Sequence, residues 1–184
     1  RDRSGIDGGG LERIRRDDGV HRVGFSPDGQ YYFDSYSNSS TLPELTLHKK
    51  DGTKLHTIAK PRPELLQGLN LQTPELFTIP TSDGFPMPAQ ILKPKNFDPS
   101  KSYPLIFHIY GGPSAPTVFD QWQGSSLFFD NMLLDRGYLV VKFDHRSATA
   151  ISKELENRLI LMMSGPIEIV DTAPETQSTL LSKW

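Results

Sequence analysis

The chain has 184 residues, of which 36% are hydrophobic, 10% aromatic and 23% charged, enough apolar side chains to bury a core and too many for wholesale disorder. Its 20 basic and 22 acidic residues leave a net charge of -2, and the one basic cluster, Arg13, Arg15 and Arg16, sits beside Asp17 and Asp18, so no nucleic-acid partner is expected. The absence of cysteine excludes disulfides, a thiol nucleophile and cysteine-ligated zinc, and no apolar run reaches membrane-spanning length.

The first part, from Leu11 to Ile58, predicts short strands separated by turn signals. Leu11–Ile14 is a brief apolar-polar alternation, and Val20–Phe25 leads into the tight turn Ser26-Pro27-Asp28-Gly29. Tyr31–Tyr36 is an aromatic run suited to a pleated surface. Leu45–Lys49 and Thr53–Ile58, joined by Asp51-Gly52, predict a hairpin. Four strands in about 40 residues are the material of one propeller blade, and no repeat of the pattern occurs elsewhere in the chain. Residues 1–60 are therefore expected to form a partial β-propeller. Residues 61–75, broken by Pro61, Pro63 and Gly68, are the expected linker.

The character then changes. Leu76–Ile79 and Ala89–Leu92 predict strands on either side of a turn at Ser82-Asp83-Gly84. Leu105–Tyr110 has the continuous apolar-aromatic run of a strand buried on both faces. Phe119 to Leu134 shows mostly helical spacing, Gly137 ends that helix, and Tyr138–Phe143 predicts another buried strand. A strand–helix–strand unit of this kind implies two parallel strands. Beyond Asp144, Glu154–Met163 and Glu168–Trp184 are helical candidates, the second interrupted by Pro174. The fold class expected is thus α/β from residue 76 to 184, preceded by antiparallel strands.

In an open α/β sheet, reactive groups gather outside the carboxyl ends of the strands. Here those ends are Tyr110-Gly111-Gly112-Pro113 and Asp144-His145-Arg146. Tyr110 reads either as a buried tyrosine before an ordinary turn or as a hydroxyl donor to a developing oxyanion. The nucleophile elbow that a serine hydrolase of this architecture needs, Gly-x-Ser-x-Gly, does not occur. The five histidines show no metal-ligand spacing: His21, His48 and His56 are expected on strand surfaces, and His108 in the core or at a rim. Asp144 and His145 are adjacent, so their side chains point to opposite sides of a strand and make a poor triad pair. Neither a metal nor a cofactor is expected.

The stretch Ser102-Tyr103-Pro104-Leu105-Ile106-Phe107-His108-Ile109-Tyr110-Gly111-Gly112-Pro113 resembles the opening of the catalytic domain in prolyl-oligopeptidase-type serine peptidases of the dipeptidyl peptidase IV branch. Phe25-Ser26-Pro27-Asp28-Gly29 with Tyr31-Tyr32 is similar to the last blades of that family's propeller, and Ile91-Leu92-Lys93-Pro94 to Phe97-Asp98 to the strand and loop that follow it. Arg136-Gly137-Tyr138-Leu139-Val140-Val141, Asp144-His145-Arg146, and Glu168 with Asp171 resemble further motifs in the family's order. The likeness runs from about Val20 to Lys183.

The resemblance implies a serine exopeptidase that releases short N-terminal peptides, with a propeller that gates the peptide substrate and an α/β-hydrolase domain that cuts it. It implies that Tyr110 is the oxyanion-hole donor, that the triad lies beyond Trp184, and that the acidic pair binding the substrate amine lies before Arg1. The chain is then expected to be a fragment, from the end of the propeller to the start of the hydrolase domain. An exported or periplasmic setting is what the resemblance suggests; the sequence carries no signal segment. Self-association into a homo-oligomer is expected from strands that lack their covering neighbours. One departure stands out: the family's glycine after Asp-x-Arg is Ser147 here, which removes a backbone position tolerant of positive φ and predicts an altered loop. This leaves an alternative, a catalytically inactive relative, as a fragment or a short stand-alone protein, with a protein-binding role.

Overall fold

The computed structural model describes residues 2–3, 9–10, 12–13, 17–110, 115–148, 153–157 and 171. The chain divides into two compact units, one formed by Arg1–Asn70 with Phe119–Gly124 and the other by Leu71–Val118 with Ser125–Trp184.

The first unit holds a short antiparallel pair, β1 (Asp2–Arg3) and β2 (Glu12–Arg13), and a four-stranded antiparallel sheet. That sheet is a meander of β3 (Val20–Phe25), β4 (Tyr31–Ser37), β5 (Glu44–Lys49) and β6 (Lys54–Ala59). Its turns follow from local chemistry. Between β3 and β4, Gly29 takes φ 65°, its amide donates to the Ser26 carbonyl at 2.9 Å, and Asp28 Oδ1 accepts from the Ser26 hydroxyl at 2.6 Å. Between β5 and β6, Gly52 takes φ 92° and its amide donates to the Lys49 carbonyl at 2.9 Å.

One face of this sheet is closed by polar and aromatic side chains, and here the surface placement expected of two histidines is corrected. His21 and His48 are buried, while His56 is exposed as expected. His21 Nδ1 lies 3.0 Å from the Asp34 carboxylate, its Nε2 lies 3.2 Å from the Asp17 carbonyl, and the ring stacks on Tyr36 at 4.6 Å. His48 Nε2 lies 2.8 Å from Thr46 Oγ1, Nδ1 lies 3.1 Å from the Gly52 carbonyl, and the ring stacks on Tyr32 at 5.0 Å. Every ring nitrogen finds a partner, which offsets the cost of burying it. A 3-10 turn, Pro63–Leu66, follows β6.

The second unit is built on a mixed sheet of strand order β7-β8-β10-β9, with β7 (Glu75–Pro80), β8 (Pro86–Leu92), β9 (Leu105–His108) and β10 (Leu139–Phe143). β7 and β8 form an antiparallel hairpin, β10 runs antiparallel to β8, and β9 and β10 are parallel as the strand–helix–strand spacing predicts. β10 is buried throughout. Its Leu139, Val141 and Phe143 join Ile79, Met87, Ala89 and Ile91 in the main core, against which Phe77, Phe85, Phe97, Tyr103, Leu105 and Phe107 pack. β9 stands at the edge of the described sheet and is half-buried, with His108 exposed; the expectation of a strand buried on both faces is not met.

The connecting helix α1 (Ser125–Leu134) is shorter than its apolar pattern suggests. Gly124 sits just before it with φ 56°, outside the helical region. Phe119–Gly124 instead belongs to the first unit, where Ser39 N donates to Asp120 Oδ1 at 2.8 Å, Arg22 Nη2 to Gln121 Oε1 at 3.4 Å and Trp122 N to Ser37 Oγ at 3.3 Å. The buried stripe of α1 is Leu127, Asp130, Asn131 and Leu134, which is one face at helical spacing. The helix ends at Gly137, φ 83°, where the Tyr138 amide reaches back to the Leu133 carbonyl at 3.2 Å. A further short helix, α2 (Lys153–Asn157), overlaps the start of the first helical candidate after Asp144, Glu154–Met163, and begins one residue before it. The second candidate, apart from Asp171, lies outside the described residues.

Candidate active site edge

The last registered pair between the parallel strands is Lys142 with His108. Two residues further along each chain stand Asp144 and Tyr110, so both occupy the carboxyl edge of the β9–β10 pair, where chemistry in such sheets collects. Tyr110 is 66% exposed at this edge. Gly111, Gly112 and Pro113, which complete its motif, lie outside the described residues.

Asp144 is buried, and its carboxylate accepts a fan of donors from the chain that returns after the motif. Thr117 N lies at 2.8 and 2.9 Å from the two oxygens, Thr117 Oγ1 at 2.7 Å and Val118 N at 2.8 Å. The Asp144 amide donates to the Pro88 carbonyl at 3.0 Å, fastening the strand end to β8. Asp144 is thus a structural acceptor, in keeping with its unsuitability as a triad partner of His145.

Arg146 is the hub of a second network. Its guanidinium donates to Asp83 Oδ2 at 2.7 Å and Oδ1 at 2.8 Å, and to Asp171 Oδ1 at 2.7 Å, while its amide donates to Asp171 Oδ2 at 2.9 Å. The ring of Phe85 lies 5.2 Å beneath the guanidinium carbon. Planar bidentate pairing of this kind suits arginine and is beyond lysine. The Arg146 guanidinium and then the Thr81 hydroxyl hold the Asp83 carboxyl well below the usual carboxylate range. In return Asp83, then Asp171, raise the Arg146 pKa further above its ordinary value. Sequence reasoning treats Ser82-Asp83-Gly84 as a turn only; the charge signs of Asp83, Arg146 and Asp171 are the one local hint that they pair. Glu168, the other acidic residue of that motif, lies outside the described residues.

His145 and Ser147 flank Arg146 and are both buried, and among the described residues neither ring nitrogen of His145 nor Ser147 Oγ has a hydrogen-bond partner. Ser147 sits in a tight turn closed by the Ala148 amide on the His145 carbonyl at 2.9 Å. His108 is exposed at the rim. Among the described residues no group of three or more His, Cys, Asp or Glu side chains could hold a metal ion, and no helix is long and apolar enough to cross a membrane.

No protein-family model matches the chain. It is 35% identical to dipeptidyl peptidase 8 of Mus musculus over 98 residues, 53% of this chain and 11% of that protein. It is 40% identical over 75 residues, 40% of this chain and 8% of the relative, to a protein of Ajellomyces dermatitidis named "Probable dipeptidyl-aminopeptidase B". Among solved structures, Porphyromonas gingivalis dipeptidyl peptidase 4 matches with a TM-score of 0.75 and 26% identity, covering 82% of this chain and 22% of that one. The chain therefore spans only a small part of the length of each protein it matches. Sequence and fold agree on the likeness, which is to prolyl-oligopeptidase-type serine peptidases of the dipeptidyl peptidase IV branch, with the antiparallel sheet corresponding to the end of the propeller and the mixed sheet to the start of the α/β-hydrolase domain.

Proposed function

We propose that this chain is part of a serine-type exopeptidase that releases short N-terminal peptides, and that Tyr110 is its oxyanion-hole donor. In this reading residues 1–60 are propeller strands, 61–75 a linker and 76–184 the first part of the catalytic domain. The observation that carries the role of Tyr110 is its exposure at the carboxyl edge of β9, beside the end of parallel β10. A phenolic hydroxyl there is free of core packing and can donate to the negative oxygen of a tetrahedral intermediate. No Gly-x-Ser-x-Gly occurs in the 184 residues, so the proposed reaction draws its nucleophile from outside them. Association between copies fits the half-buried edge strand β9 and the exposed Phe128, Phe129 and Met132 of α1.

The test is Tyr110→Phe in the complete gene product, assayed on a Xaa-Pro anilide. One oxyanion donor contributes roughly 2.7–4 kcal/mol to the transition state, so kcat should fall about a hundred- to a thousandfold. Because the side chain is 66% exposed, the melting temperature should stay unchanged, and KM should move little. Wild-type kcat in the variant would remove Tyr110 from the mechanism. An unmodified protein that turns over no peptide substrate would favour the inactive, protein-binding relative, for which Ser147 in place of glycine is the supporting feature.

A further inference from the structure

We propose that Asn131 of α1 clips the chain down where it enters the second unit, so that the free linker ends at Asn70 and residues 71–74 form a strap fixed to the helix. The inference is independent of the peptidase reading. Three observations support it. First, the Asn131 carboxamide takes both backbone groups of Gln72: the Gln72 amide donates to Asn131 Oδ1 at 2.6 Å, and Asn131 Nδ2 donates to the Gln72 carbonyl at 3.2 Å. A side chain thus stands in for the residue that faces its partner in a hydrogen-bonded antiparallel pair. Second, the orientation of the carboxamide is fixed. Its Nδ2 also donates to the Leu127 carbonyl, one turn back, at 2.9 Å. Turning the group over would set its oxygen against two carbonyls and its NH2 against the Gln72 N–H. Third, Asn131 is 7% exposed and sits inside α1, where asparagine is a poor helix former and an unpaired amide is costly. The bonds to Gln72 supply the reason for its presence there.

The chain changes character just before Gln72. Upstream, the Leu65, Gln67 and Leu69 amides each donate to the carbonyl three residues back, and the Leu65 and Leu69 side chains are exposed. Gly68 among them takes φ 87°, with nothing within 4 Å of an added Cβ. Downstream, Leu71 and Gln72 are half-buried, Pro74 is buried, and β7 begins at Glu75. The division of the chain into compact units falls between these stretches, at Asn70 and Leu71. The helix that holds the strap is itself held to β10, since Asp130, the neighbour of Asn131, pairs with Lys142 at 2.7 Å. Gln72 is therefore tied through α1 to the middle of the mixed sheet, while residues 61–70 rest on local turns.

The experiment combines amide exchange with limited thermolysin digestion of the complete gene product. In the unmodified protein the Gln72 amide should be protected, and thermolysin, which cuts before leucine, should cleave at Leu65 and Leu69 and spare Leu71. Asn131→Ala removes the clip: exchange at Gln72 should quicken by about tenfold or more, and cleavage should extend to Leu71. The β10 amides should keep their protection, which shows that the sheet is intact. Asn131→Leu should give the same result; it keeps the volume and suits a helix, and so guards against an alanine variant that fails to fold. Free exchange at Gln72 in the unmodified protein, cleavage there at Leu71 as fast as at Leu69, or variants that exchange and cleave like the unmodified protein would each overturn the proposal.

Discussion

The buried ion pair between α1 and β10 offers the sharpest test of how the second unit is held together. Lys142 Nζ lies 2.7 Å from Asp130 Oδ2, with the two side chains 5% and 1% exposed. Lys142 is in the middle of the sheet, paired with Gln90 on β8 and His108 on β9, so its ammonium has no route to bulk water along the strand. Asp130→Ala deletes one member of a buried ion pair, a change that costs about 3–5 kcal/mol. That is a large share of the 5–15 kcal/mol by which domains are typically stable. The pair Lys54–Glu44, 3.4 Å apart with side chains 48% and 30% exposed, is the internal control. Breaking it should cost about 0–1 kcal/mol. Urea unfolding followed by circular dichroism reads both: at a slope near ~2 kcal/mol per molar, Asp130→Ala shifts the midpoint down by about 1.5–2.5 M, and Glu44→Ala by less than about 0.5 M. The double change Asp130→Leu with Lys142→Met should recover most of the loss, since two apolar groups of similar volume leave no charge unpaired. Equal midpoint shifts for Asp130→Ala and Glu44→Ala would refute the argument.

Two further predictions concern the turns. The folded pKa of Asp83 lies below its unfolded value, so its contribution is complete above the ordinary carboxylate pKa of about 3.9 and is lost as pH falls through the folded value. The stability gap between the unmodified protein and Asp83→Asn should therefore be constant from about pH 7 to 5 and shrink below about pH 4; a gap that widens on acidification would contradict the pairing with Arg146. Gly137→Ala should cost only the left-handed backbone penalty of roughly 1–2 kcal/mol, because its φ is 83° and nothing lies within 4 Å of an added Cβ. Gly19→Ala should cost clearly more, because the new Cβ would meet the Ser37 carbonyl oxygen at 2.6 Å; melting temperatures in the reverse order would refute this.

What the sequence made legible was local. The turns at Gly29 and Gly52 need positive φ, and their residue types say so. The parallel β9–β10 pair follows from strand–helix–strand spacing. The proposed role of Tyr110 rests on its position before two glycines and on family likeness. The misjudged features depend on contacts that spacing does not announce. His21 and His48 look like solvent-facing residues because the side chains they meet, Asp34 on the neighbouring strand and Thr46 two residues away on the same strand, are polar as well; only the folded sheet shows a polar interior. Phe119 and Trp122 continue the apolar period of α1, but Gly124 breaks it and their segment bonds to the other unit. The Arg146 network joins residues 63 and 25 positions apart, which leaves no spacing to read.

The return of Phe119–Gly124 to the first unit has a consequence for how the protein is made. The antiparallel sheet is synthesised first, yet the hydrogen-bond partners of Arg22, Ser37 and Ser39 emerge from the ribosome only after the core strands β7, β8 and β9. At roughly 5–20 residues per second, several seconds separate the two events. During that interval the Ser39 amide and the Arg22 guanidinium lack these acceptors, and the Ser37 hydroxyl lacks the Trp122 donor. These bonds are thus tied to the elongation of the second unit, and a gene split near Asn70 would leave the first half without the partners of Arg22, Ser37 and Ser39.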